Sequence, residues 1–97
     1  MDAILRHEDF VPHLDKMFSF AGWHGTLRLA RAELLPASGR AGHTRPPFML
    51  IFAGPPGDVL PEGLYTATVA DGPGFDVHIM PIRTIAADRQ EYQAVFN

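Results

Sequence analysis

The sequence predicts an all-β fold, a small antiparallel barrel or sandwich of about six strands with one short helix near the N-terminus. Three observations lead there. From Met17 onward, apolar residues recur mainly with period two, the spacing of half-buried strands. The 9 glycines and 9 prolines fall mostly between these runs and break the chain at short intervals. Helical spacing with a capping residue occurs only in the first 16 residues. Many short strands joined by turns point to a layered or closed antiparallel sheet. The 97 residues form a single domain, 1–97, with room for one modest core but not for a core plus a large buried cavity.

The helix is expected within 8–15. Asp9 can cap its start, and Pro12 then falls in the first turn, where a missing N–H costs little. Phe10 and Leu14, four apart, would share the face that pins this short helix to the body.

Strands are expected near 17–20, 26–34, 48–53, 64–69, 75–81 and 91–96. "KMFSF" puts Phe18 and Phe20 on one face, and "AGWHGT", with Gly22 and Gly25, reads as a hairpin connection. In "TLRLARAELL" the alternation of Leu27 and Leu29 slips, and Ala32 and Leu34 then carry the apolar phase. A one-residue slip would turn the wrong face inward, so a bulge is expected near Ala30–Arg31. "PASGRAGHTRPP", 36–47, has the composition of a long mobile loop. "FMLIF" is apolar throughout, which suits a strand covered on both faces. "LYTATVA" places Tyr65, Ala67 and Val69 on one face, "DGPG" turns, and "FDVHIMPI" directs Phe75, Val77 and Ile79 inward. Pro81 cannot donate to a ladder, so that strand should be an edge or end there. The chain closes on "EYQAVFN", where Tyr92, Ala94 and Phe96 share a face and Phe96 is expected to be buried against Phe48 or Phe18. Phe18, Phe20, Phe48, Phe52, Phe75, Tyr92 and Phe96 together read as the core.

Composition narrows the function. The net charge is −3, with Lys16 the single lysine and no basic block, which disfavours nucleic acid as a partner because affinity there comes largely from neutralising phosphates. With 0 cysteines there are no disulfides, thiolate metal sites or cysteine nucleophiles. The start "MDAILRHEDF" lacks the apolar run of a signal peptide, and the run Phe48–Ala53 is too short to span a membrane. A soluble protein made in the cytoplasm is expected, with leaderless export left open and no membrane partner.

Several motifs invite chemistry. "LIFAGPPGD", an apolar strand entering Gly-Pro-Pro-Gly, looks like the opening of a phosphate loop. That loop needs backbone amides, then Lys and Ser or Thr, entering a helix. Here Pro55 and Pro56 remove amides, Asp58 repels phosphate and Pro61 interrupts a helix, so a turn is expected. The histidines at 7, 13, 24, 43 and 78 have no metal-ligand spacing, although His7, His13 and His78 could meet Asp76 in space. Ser19 and Ser38 sit in no nucleophile-type turn, and no carboxylate lies in a strongly apolar stretch. No catalytic residue, metal or cofactor is assigned. Trp23 and His24, in the hairpin between glycines, either pack over the barrel end or form a candidate interaction surface, with Arg40 and Arg45 of the 36–47 loop as its polar half.

Glu8-Asp9-Phe10, Phe18, Leu27, Leu29, Pro47-Phe48, Leu50, Phe52, Gly54-Pro55, Leu60-Pro61, Gly63, Tyr65 and Tyr92-Gln93-Ala94-Val95-Phe96-Asn97 form a pattern over nearly the whole chain. It resembles a group of small uncharacterised bacterial proteins classed as a domain of unknown function. Asp15 departs from that pattern, which has glycine before the first strand. The resemblance implies an association with proteins carrying phage-tail-collar-type domains, and so a place in a fibre or tail-like assembly. The expected function is therefore non-enzymatic binding of a protein partner. A small ligand- or carbohydrate-binding module is the alternative, and a metal-dependent hydrolase the weaker one. Sequence leaves the oligomeric state and the partner's identity open.

Overall fold

The computed structural model describes residues 5–36, 46–83 and 87–96. A one-turn helix α1 (His7–Phe10) runs into a 3-10 turn (Val11–His13), and six strands follow: β1 (Met17–Phe20), β2 (Thr26–Leu34), β3 (Phe48–Gly54), β4 (Gly63–Val69), β5 (Gly74–Ile82) and β6 (Gln90–Phe96). They form a closed antiparallel barrel in the order β1-β2-β3-β6-β5-β4. Of the two arrangements expected, the barrel is the one formed, because β1 pairs with β2 on one side (Phe18 opposite Leu27) and with β4 on the other (Phe18 opposite Val69). Closure pairs every strand with two neighbours, although β5 and β6 part toward the helix end.

β3 and β4 are consecutive in sequence but lie on opposite sides of this ring. The chain between them, 55–62, therefore crosses one end of the barrel. The β1–β2 hairpin lies at that same crossover end, while α1 and the β4–β5 turn lie at the other, the helix end.

Alternation fills the interior. Phe18, Phe20, Leu27, Leu29, Phe48, Leu50, Phe52, Val77, Ile79, Tyr92 and Ala94 are all buried and form one cluster. Phe52 meets Phe18 and Phe20 edge-on at 5.4 and 5.5 Å, an arrangement aromatic quadrupoles favour. At the helix end Phe10 seals the barrel, its ring 4.6 Å from Phe75, 5.7 Å from Phe96 and 5.8 Å from Phe48. The β5–β6 register covers only Met80–Ile82 opposite Glu91–Gln93, so Phe10 stands where these two strands have ceased to pair.

The expected bulge is present: the β2–β3 register shifts between Leu29 and Arg31, which keeps Ala32 opposite Leu50. Other expectations need correction. The helix starts one residue early and is shorter. Asp9 does not cap it but sits in its first turn, where its carboxylate accepts the Arg6 backbone N–H at 2.8 Å. Leu14 adopts an extended backbone and does not share the buried face of Phe10, being 36% exposed. Leu34 continues the inner phase but lies at the rim, 58% exposed. Phe96 is half-buried, stacked on Phe48 at 4.5 Å. Pro81 neither ends β5 nor marks an edge. The β4–β5 ladder stops at Gly63 opposite Ile79, so Pro81 lies beyond it and leaves no β4 carbonyl unpaired. β3 is buried on both faces as expected, since outward-facing Ile51 and Ala53 are only 2% and 7% exposed. Most of the expected mobile loop, 37–45, lies outside the described residues, as does Asn97.

Candidate functional site

The sequence-derived candidates Trp23 and His24 both lie at the crossover end. Gly22 takes a left-handed φ of +85°, which turns the β1–β2 hairpin, and the Trp23 N–H donates to the Phe20 carbonyl at 2.9 Å. The indole then folds back onto Gly25, where a Cβ would come within 2.9 Å of the ring. Glycine at 25 is what lets Trp23 lie flat, half-buried against the core. His24 points away into solvent, with its ring tilted 5.4 Å from that of Trp23.

The crossover is fastened at four points by side chains from four other parts of the fold. His24 pairs through Nε2 with the Asp58 carboxylate. The Leu60 N–H donates to the Tyr92 hydroxyl at 2.9 Å, and the Leu60 side chain is fully buried over the barrel end. The Tyr65 hydroxyl donates to the Pro61 carbonyl at 2.7 Å. His78 Nε2 stands 3.7 Å from the Glu62 carboxylate. The two histidine–carboxylate contacts are exposed and contribute little to stability. The Tyr92 contact is buried, where an unmade hydrogen bond is costly. Burial pushes the Tyr92 hydroxyl above its ordinary pKa, the Leu60 N–H partly offsets this, and the negative charge of Asp58 adds to it. Tyr92 is therefore held neutral, as an uncharged acceptor for Leu60.

This geometry accounts for the resemblance to a phosphate loop. Gly54 ends β3, residues 55–59 run exposed, no helix follows, and Asp58 is turned toward His24.

A family model described as a domain of unknown function, DUF6916, matches residues 5–96. The chain belongs to that family. No curated protein and no solved structure matched it. The DUF6916 match covers every described element, and several motif residues quoted from the sequence have structural work within this DUF6916 barrel. Phe10 seals one end, Leu60, Tyr65 and Tyr92 hold the other, and a Cβ on Gly54 would lie 2.4 Å from the Leu27 side chain. Asp15, the departure from the pattern, has a left-handed φ of +68°, a conformation that favours glycine.

The remaining candidates do not assemble. Arg40 and Arg45 lie outside the described residues. The flanks of their loop are joined at the helix end, where the Leu35 N–H donates to the Pro47 carbonyl at 2.9 Å, away from Trp23. Each described histidine is engaged separately. His7 Nε2 bonds the Ala32 carbonyl at 2.9 Å, His13 packs edge-on to Phe18, and His78 faces Glu62, while Asp76 accepts from the Thr66 hydroxyl at 2.9 Å. His43 lies outside the described residues. Among the described residues no group of three or more His, Asp or Glu side chains converges. The roles of Asp58 and Glu62 were missed from sequence. Their only signal was an acidic residue on either side of Leu60 in a turn-rich segment.

Proposed function

We propose that this domain is a non-enzymatic protein-binding module that works from its outer surface within a larger assembly. The observation that carries this reading is the interior. The barrel is filled by its own aromatic and aliphatic side chains, with Phe10 seated in one end and Leu60 in the other. Small-molecule sites are usually concave, with a few convergent polar groups, and the inward positions here are apolar. Trp23, the residue best suited to stack on a sugar, instead lies against Gly25 and the core. The resemblance-based association with tail-collar-type proteins makes a bacterial fibre or phage-tail-like structure the favoured setting.

A photo-crosslinking residue at exposed Val95, introduced into the chain expressed in its own host, tests the reading. A discrete covalent adduct to another protein is expected. Lack of any protein adduct, together with saturable binding of a glycan that shifts the Trp23 and His24 resonances, would favour the ligand-binding alternative instead.

A further inference from the structure

His13 differs from the other described histidines in what its ring meets. The Nε2 of His7 faces the Ala32 carbonyl at 2.9 Å, and those of His24 and His78 face the carboxylates of Asp58 and Glu62. Each of these rings has an acceptor in front of it. The Nδ1 of His13 is buried and has no hydrogen-bond partner. Its ring lies at the helix end against Phe18 and Phe75, 6.3 and 6.0 Å from their centroids, at the outer limit of a cation–π contact.

The charges on the surrounding elements are engaged elsewhere or exposed. On α1, Glu8 is exposed and the Asp9 carboxylate is turned back to the Arg6 N–H. Beyond the 3-10 turn, Asp15 pairs with Arg28 and Lys16 is exposed. The β1 residues flanking Phe18 are Met17 and Ser19, neither of them charged. On β5, Asp76 accepts from Thr66, and Asp71 in the β4–β5 turn is exposed.

We propose that protonation of His13 releases the Phe10 plug, so that acidification loosens the helix end of the barrel. A neutral imidazole can carry its hydrogen at Nε2 and leave Nδ1 as a bare lone pair. The charged ring cannot, because both nitrogens then donate. A buried cationic N–H without an acceptor is costly. His13 and Phe10 belong to one short segment, and both rings rest against Phe75, that of Phe10 at 4.6 Å. Swinging the segment out returns the His13 ring to water and takes Phe10 with it. The released segment therefore binds more protons than the docked one, and docking weakens as pH falls. Histidine changes charge between about pH 5 and 8, so the response falls in that interval. The crossover end responds in the opposite sense, since protonation of His24 and His78 sets a positive charge opposite Asp58 and Glu62. This proton response goes beyond the protein-binding reading and does not depend on it.

NMR of the full chain from about pH 7.5 to about pH 5 tests the proposal. The Val11 N–H bonds the His7 carbonyl within the segment, and the Leu60 N–H bonds Tyr92 at the other end of the barrel. Protection of the Val11 amide against hydrogen exchange, corrected for its intrinsic rate, should fall by about tenfold or more over that range. The Leu60 amide should keep its protection. In His13→Leu the protection of Val11 should no longer change with pH. His7→Gln, whose amide can still donate to Ala32, should respond as the native chain does. The ring nitrogens of His13 give a reading that needs no variant: their chemical shifts should show a neutral ring wherever the Phe10 and Phe75 rings are in contact. If His13→Leu does not fold, that reading decides. A charged His13 ring with the Phe10–Phe75 contact intact would overturn the proposal. So would Val11 protection that is constant with pH in the native chain, or still pH-dependent in folded His13→Leu.

Discussion

Tyr92 ties the crossover to the core of the barrel. Its ring belongs to the core and its hydroxyl accepts the Leu60 N–H at 2.9 Å. Tyr92→Phe should cost about 1–3 kcal/mol in chemical denaturation, because a buried backbone donor loses its acceptor while the ring remains. The same residue gives an alkaline signature. Its folded pKa is raised above the unfolded value of about 10. In the interval between the two values the folded state binds more protons than the unfolded one, so stability falls as pH rises. The Tyr92 contribution is therefore fully present below about pH 10 and is lost above it, and Tyr92→Phe should flatten the fall. Asp15 offers a second test. A left-handed φ costs an ordinary residue about 1–2 kcal/mol, and Asp15 recovers part of that through an exposed contact with Arg28 at 3.1 Å. Asp15→Gly should be neutral or stabilising, whereas Asp15→Val should lower the denaturation midpoint. Equal midpoints for the two variants would mean that backbone strain at this position is unimportant.

Among the elements, α1 has a role out of proportion to its size. An isolated turn of helix has no stability of its own, and this one is held by Phe10, whose ring touches Phe48, Phe75 and Phe96 where β5 and β6 part. Phe10→Ala should cost about 3–5 kcal/mol, a large share of the 5–15 kcal/mol typical of native domains. Hydrogen exchange should then show lost protection first at the β5–β6 junction. The strands themselves were readable because each half-buried run alternates, and the slip after Leu29 announced the bulge by the requirement that Ala32 face Leu50. The helix was less readable, because Asp9 suits either the cap or the first turn and only the position of Arg6 decides between them. Pro81 misled because the rule about proline in strands concerns neighbours, and sequence does not show that β4 ends before reaching it. At the candidate site, the hairpin around Trp23 was readable from its glycines. Its contact with the crossover was not, because His24 and Asp58 are 34 residues apart and meet only once the barrel closes.

At the scale of the molecule, closure is the organising fact. β1 is a short strand, yet it joins β2 to β4, pairing Ser19 with Thr26 and with Thr68. Closing the ring gives every strand two neighbours and encloses a core made almost entirely of side chains from the wall. The crossover and α1 then seal the two ends, which leaves the outer wall as the surface available for recognition. The central claim is that this domain works from its outside and that its interior is structural. Methyl NMR during titration with a mixed panel of oligosaccharides and small apolar ligands tests it most directly. The account predicts that the buried methyls of Leu27, Leu50, Leu60 and Ile79 keep their positions at every ligand concentration. Saturable shifts of the Leu50 and Leu60 methyls with a single ligand would show an interior site and contradict it.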